Sequence, residues 1–255
     1  MTIIFQVPCM KYDLQGTTMQ MLTMQLSKDE TVVSESGRLV YMSDNVEMQT
    51  EATGGVWAGV KRAFAGESFF LTHFTGRGGH ALVGFGSEFP GKIIPLQLAK
   101  DEEIIAQKDA FLCSEESVAF DATWTRKIGA GLLGGEGLIL LKIKGPGLSF
   151  FNVGGEVTRI DLKKGEKIRV DTGNLALFDA SVDYDVERIR GVKNMIFGGE
   201  GLFLATCTGP GRVWVQSMPV NELAAKLAEY LPGRNGGSMA AGVFAANMLS
   251  SITRK

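Results

Sequence analysis

An eight-residue unit recurs three times in this chain, and it limits the fold more than any other feature. It reads Phe197-Gly198-Gly199-Glu200-Gly201-Leu202-Phe203-Leu204 and, earlier, Leu133-Gly134-Gly135-Glu136-Gly137-Leu138-Ile139-Leu140. A more divergent copy is Phe64-Ala65-Gly66-Glu67-Ser68-Phe69-Phe70-Leu71. Each copy is closed by a glycine-rich step: Gly209-Pro210-Gly211, Gly145-Pro146-Gly147 and Gly76-Arg77-Gly78-Gly79. The three glutamates lie 69 and 64 residues apart.

A second unit precedes each copy and starts at Leu26, Leu98 and Leu162, offsets of 72 and 64 residues. It reads as a polar turn, a short strand, a tight turn and another strand. The tight turn centres on Gly37, Asp109 or Gly173, residue types that tolerate a left-handed backbone, which predicts one turn geometry in all three copies. In the Gly-Pro-Gly steps proline presets φ and glycine supplies φ > 0, which predicts type II turns leading each strand into its return strand. A period near 65 residues is too long for a simple solenoid and suits small β modules.

The expected fold is therefore all-β: three tandem β-sandwich-like modules with a pseudo-threefold internal repeat, plus short C-terminal helices. The modules span 1–98 with the N-terminal strands, 98–162 and 162–218, and a helical tail occupies 219–255. Met19 to Leu26 alternates apolar and polar positions, the mark of a half-buried strand. Ile3 to Val7 reads as a further strand, and Trp57, Val60, Lys61 and Phe64 have the spacing of one helical turn. In the tail, Asn221 to Leu231 predicts a helix opened at Pro219 or Asn221 and stopped by Pro232-Gly233. Met239 to Leu249 predicts a second, very apolar helix, which would pack on the β body, a neighbouring subunit or a membrane surface.

Composition narrows the function classes. An apolar content of 45% supplies a core, and a charged content of 21% argues against disorder. A net charge of −2 leaves no electrostatic footprint for nucleic acid, so nucleic acid is not expected as a partner. Cys9, Cys113 and Cys207 are scattered and odd in number, which reads as reduced thiols and a cytoplasmic location. The start lacks the basic segment and apolar core of a signal peptide. No run reaches the ~18 apolar residues of a membrane span.

The candidate ligand-binding residues are the repeated Glu67, Glu136 and Glu200. Three carboxylates could define equivalent sites for a cationic or hydroxylated ligand. The structural alternative has them capping backbone amides or pairing with Lys61, Arg126 or Lys193, and a polar residue kept through a duplication favours it. Gly129-Ala130-Gly131-Leu132-Leu133-Gly134 matches a dinucleotide fingerprint in form, but a strand rather than a helix follows it. His73 and His80 lack metal-ligand spacing. His73 falls where the other copies carry Lys142 and Thr206, which predicts a strand residue facing solvent or an interface. Trp214 alternates with Val213 and Val215, so one of its two strand faces must be covered. A stacking platform for single-stranded RNA would need accompanying basic residues, which the run Val213 to Met218 lacks. No catalytic constellation, metal or cofactor is expected.

These residues resemble a known family, the altered inheritance of mitochondria protein 24-like proteins, from about Gln20 to Leu223. The resemblance rests on Gly55-Val56-Trp57-Ala58-Gly59-Val60-Lys61-Arg62, Phe64-Ala65-Gly66-Glu67-Ser68, Gly134-Gly135-Glu136-Gly137-Leu138, Gly209-Pro210-Gly211 and Trp214. Copy 1 departs from the pattern at Ala65 and Arg77. The resemblance implies a fold like the tryptophan RNA-binding attenuation protein, with three β-sandwich-like modules per chain and assembly as a homotrimer. It does not carry over that protein's tryptophan or RNA binding, because the resemblance places none of the binding residues on this sequence. It also implies a scaffold role near a membrane. The expected function is thus a non-enzymatic assembly or scaffold protein, with peripheral membrane contact through the C-terminal helix. The alternative is an RNA- or small-ligand-binding module.

Overall fold

The computed structural model describes residues 10–50, 71–128, 138–188 and 203–230. Residues up to Pro219 form one compact unit, and Val220 onward forms a second. The all-β expectation is borne out in the first unit. Its strands are β1 (Lys11–Gln15), β2 (Met21–Leu26), β3 (Thr31–Glu35), β4 (Leu39–Met42), β5 (Val46–Thr50), β6 (Leu71–Gly76) and β7 (Ala81–Gly86). They continue with β8 (Gly91–Leu98), β9 (Glu103–Gln107), β10 (Phe111–Glu115), β11 (Ala119–Ile128), β12 (Leu138–Lys144) and β13 (Gly147–Gly154). The last are β14 (Val157–Leu162), β15 (Lys167–Asp171), β16 (Leu175–Asp179), β17 (Asp183–Arg188), β18 (Phe203–Thr208) and β19 (Gly211–Gln216). The second unit contains helix α1, Val220–Glu229, directly after Pro219. The helix therefore begins one residue before the expected cap Asn221, which sits inside its first turn. Met239 to Leu249, Ile3 to Val7 and Trp57 to Phe64 lie outside the described residues.

The strands form four antiparallel sheets. Sheet A has the order β1-β2-β7-β4, sheet B β5-β6-β3-β10-β13-β8, sheet C β11-β12-β9-β16-β19-β14, and sheet D β15-β18-β17. The repeat explains this order. Each copy contributes six strands, with β2 to β7, β8 to β13 and β14 to β19 in equivalent positions. In every copy the first, sixth and third strands lie side by side in one sheet, and the fourth, fifth and second in the next. Sheets B and C are each completed by two adjacent copies. The join pairs the second strand of one copy with the third strand of the following copy: β3 with β10, and β9 with β16.

The four sheets stack, with an apolar layer in each gap. Between A and B lie Leu22, Met24, Phe85, Phe74 and Phe150. Phe111, Phe151, Ile104, Leu141 and Trp214 fill the gap between B and C. Ile105, Leu140, Phe178, Val213 and Cys207 fill that between C and D. The position in the stack dictates the sequence pattern. β2, in an outer sheet, alternates half-buried and buried residues as its sequence period predicts. β13, in sheet B, is buried at all eight positions, Ser149 and Asn152 included, as a strand covered on both faces must be.

The glycine-rich steps carry the chain from one sheet to another. They do not close hairpins: β12 lies in sheet C and β13 in B, β18 in D and β19 in C. The expected type II turn is not formed either. The Gly145–Pro146 and Gly209–Pro210 bonds are cis, and the following Gly147 and Gly211 have φ of +139° and +146°. The leading glycine is required by close approach. A Cβ on Gly76, Gly145 or Gly209 would run into the backbone carbonyl of Ser27, Ala99 or Lys163, the same turn position in each copy.

The expected shared left-handed residue also moves. Gly37 has φ +95°, but Asp109 sits in a 3-10 turn, Lys108–Ala110, and Gly173 lies outside the left-handed region. The left-handed position common to all copies is in the preceding turn, at Asp29, Asp101 and Gly165, with φ of 63°, 66° and 80°. Aspartate and glycine are both suited to that conformation.

Candidate functional site

Glu67, Glu136 and Glu200 lie outside the described residues, as do Lys61 and Lys193. Other repeated polar residues are described, and each serves the backbone. Glu30 accepts the Ser27 N–H at 2.7 Å, Glu102 the Ala99 N–H at 2.8 Å, and Glu166 the Lys163 N–H at 2.9 Å. The carboxylate three residues along thus closes the polar turn in every copy. A second set follows the third strand. Ser43 accepts the Leu82 N–H at 2.9 Å, Glu115 the Leu148 N–H at 2.9 Å, and Asp179 the Arg212 N–H at 2.7 Å. This second set went unnoticed in the sequence because serine, glutamate and aspartate share no identity; only their common strand register reveals it.

Asp179 does more than its counterparts. Its carboxylate binds the Arg212 guanidinium at 2.7 to 3.0 Å, and Arg212 also pairs with Glu102. Hydrogen bonds and charge from Asp179, outweighing the partial burial, raise the Arg212 pKa, so it stays cationic at any working pH. These residues border an open cleft of about 430 Å³, with Asp101, Glu103 and Ser181 on its walls. Lys142 and Lys144 pair with Glu103 and Asp101 at 2.7 and 2.9 Å. The acids are engaged by backbone and cations, so the cleft works as an ionic tie between copies 2 and 3.

The remaining candidates are also accounted for by packing. Trp214 is 3% exposed, faces the B–C gap and lies under the Arg212 guanidinium at 5.1 Å. Val213 and Val215 face the C–D gap, so both faces of the strand are covered. A base-stacking platform needs an open ring, and this one is closed. His73 is on β6, 16% exposed, with Nδ1 3.9 Å from Glu116 in the next copy, so it faces an internal junction rather than solvent. Among the described residues no group of three or more histidine, cysteine or acidic residues could hold a metal. Cys113 and Cys207 are buried free thiols. Burial pushes the Cys113 pKa well up and that of Cys207 to about 11. Both are therefore neutral, unreactive thiols at pH 8. Labelling by a thiol reagent at that pH, located by peptide mass, is expected to be near zero at both until denaturant is added. Because the folded value lies above the unfolded one, the stability that Cys207 contributes is complete below about pH 8.5 and is lost as pH rises towards 11.

The least satisfied surface lies at the two ends of the stack. Val40, Tyr41 and Met42 of β4 are 57%, 39% and 39% exposed. Their counterparts Leu112, Cys113 and Ser114 in β10 are all 0% exposed, and Ala176, Leu177 and Phe178 in β16 are 1%, 0% and 2%. The equivalence is fixed by register, because each third strand meets its sixth strand with an irregularity at the same residue: Val40, Leu112 and Ala176. The Tyr41 ring lies over Gly84, and its hydroxyl meets that of Thr23 at 2.8 Å. Leu82, on the neighbouring strand, is 37% exposed, whereas its counterpart Leu148 is 3% exposed. At the other end, β15 has exposed Lys167 and Arg169 and half-buried Ile168, where β3 and β9 are buried at their three central positions. Among the described strands, β4 and β15 each have one edge without a neighbour.

Stacked antiparallel sheets, the inner two each shared between successive copies of one six-strand unit, define a repeat-built β protein. The chain belongs to the family described as Mitochondrial biogenesis AIM24, whose family model matches residues 12–218. The resemblance read from the glycine-glutamate and Gly-Pro-Gly motifs is thereby borne out. An uncharacterized protein of Streptococcus pyogenes serotype M6 is 27% identical over 220 residues, which cover 83% of this chain and 87% of that protein. A crystal structure of another Streptococcus pyogenes protein aligns with a TM-score of 0.70 at 24% identity, over 87% of this chain and all of that one. That likeness shows the fold.

Proposed function

We propose that the protein is a non-enzymatic assembly or scaffold protein that works as a homo-oligomer, a trimer. The observation that carries this reading is the contrast between β4 and its two internal counterparts. One strand position is apolar in all three copies, buried in two and open in the first. A contiguous apolar patch rimmed by polar groups marks an interaction surface. Among the described residues, the polar side chains repeated in register serve backbone amides or ion pairs, a structural rather than a catalytic use. The reading extends to a membrane surface through the apolar segment Met239 to Leu249.

Light scattering on the full chain tests the assembly. The expected mass is three times the 27.5 kDa of one chain, and a strict monomer overturns the proposal. Co-sedimentation with anionic vesicles is expected to fall when residues 239–255 are deleted. Equal sedimentation of both chains removes the membrane part alone.

A further inference from the structure

The two open sheet ends are the two halves of one missing junction. Sheets B and C each join a second strand to the third strand of the next copy, and both joins use one register. Ser34, Val33 and Val32 face Cys113, Ser114 and Glu115, and Ala106, Ile105 and Ile104 face Leu177, Phe178 and Asp179. Among the described strands, sheet D ends in a second strand, β15, with no third strand beside it, and sheet A ends in a third strand, β4, with no second strand beside it. Each end lacks what the other presents.

We propose that β15 of one chain pairs antiparallel with β4 of a second copy, in the register of the two internal junctions: Val170 opposite Tyr41, Arg169 opposite Met42, Ile168 opposite Ser43. This deepens the assembly reading above and rests on it. Three observations support a second copy as the occupant. The junction already occurs twice within the chain, so its geometry is compatible with this backbone. The residues left open on β4 hold the repeat positions that are buried where a preceding copy is present. Continuing the register by one residue brings Lys167 opposite Asp44, both exposed, an opposite-charge pair of the kind that stabilises adjacent strands. The internal junction extends one residue in the same way, with the Ala180 N–H bonding the Glu103 carbonyl at 3.0 Å.

The join has physical consequences. Sheets A and D become one continuous sheet, pairing backbone edges that otherwise face water. Three exposed apolar side chains sit on or beside that seam. The contact is head-to-tail, because the surface on one chain differs from the surface on the next. Such contacts close into rings when the rotation per step allows it and otherwise grow into filaments. The trimer proposed above corresponds to closure after three steps. The basic β15 edge also discourages its own self-pairing: two β15 strands would set Lys167 and Arg169 against each other.

Engineered disulfides test the pairing directly. In a Cys9→Ser background, Met42→Cys with Arg169→Cys places two thiols at directly opposed positions, where Cβ atoms lie about 4.5–5.5 Å apart. Mild oxidation is expected to give covalent multimers on a non-reducing gel. Either single variant alone is expected to stay monomeric on that gel, and so is Ser43→Cys with Arg169→Cys, whose side chains fall on opposite faces of the sheet. Circular dichroism before oxidation shows that each variant is folded. Cross-linking by Met42→Cys alone would replace the head-to-tail join with a symmetric one and overturn the inference. A disulfide within single chains would mean that the chain closes on itself, again overturning it. An oligomer by light scattering with no cross-link in the double variant refutes this interface while leaving the assembly reading intact. A strict monomer refutes both.

Discussion

Leu112→Asp is expected to abolish folding, while Val40→Asp, the same repeat position one copy earlier, leaves the fold standing. Leu112 is fully buried between sheets A and B. Aspartate there loses about 2–3 kcal/mol of side-chain burial. It also places a carboxylate in an apolar gap, which costs several kcal/mol more even if it takes up a proton. The sum is comparable to the whole stability of an ordinary domain, about 5–15 kcal/mol. Val40 is 57% exposed, so its replacement costs the single chain about 1 kcal/mol or less. Urea unfolding followed by circular dichroism separates the two outcomes. If Val40 lies in a chain-to-chain junction, the Val40→Asp chain also sheds mass in light scattering at unchanged secondary structure. Equal destabilisation by both substitutions would show that Val40 is already covered within one chain.

Trp214→Ala is expected to lower stability by about 3–5 kcal/mol, the usual cost of removing a large buried ring. The indole fills the gap between sheets B and C beside Leu177 and Ile104, and it carries the Arg212 guanidinium on its face. Removing it opens a cavity in the middle layer, where sheets on both sides hold the walls apart. The effect should appear as a shift of the urea midpoint at unchanged slope. An RNA-binding role for this residue would instead show as normal stability with reduced RNA retention that depends on salt. A Trp214→Ala protein as stable as the parent would remove the ring from the core and reopen that alternative.

The fold class was legible because the signal is redundant. Strand alternation in β2 and the recurrence of the glycine-rich unit both point to β structure, and three copies of one pattern leave little room for a misreading. Helix α1 was legible for the same local reasons, from Pro219 and the run of good helix formers after it. The turns were less so. Gly-Pro-Gly is compatible with either proline isomer, and its chemistry alone does not say whether the next strand returns to the same sheet or crosses to another. The left-handed residue was assigned to Gly37, Asp109 and Gly173 when the shared one is Asp29, Asp101 and Gly165, because both turns offer the same residue types. The candidate glutamates Glu67, Glu136 and Glu200 were singled out by identity in the alignment of copies. The residues now seen to tie the third strand of each copy to its sixth, Ser43, Glu115 and Asp179, differ in identity and agree only in position.

By itself the sequence determined that this chain is built three times over from short strands, where those strands fall, and which family it belongs to. Those properties are local or recurrent, and side-chain period and turn chemistry are enough to express them. Only the tertiary structure decided that each internal sheet is shared between neighbouring copies, and hence that, among the described strands, the first and last copies are left with open edges. Strand order is set by long-range pairing and by which face is buried, neither of which is written in any one segment. Val40 and Leu112 are both apolar and hold the same place in the repeat. One is exposed and the other buried because only the second has a preceding copy to lie against.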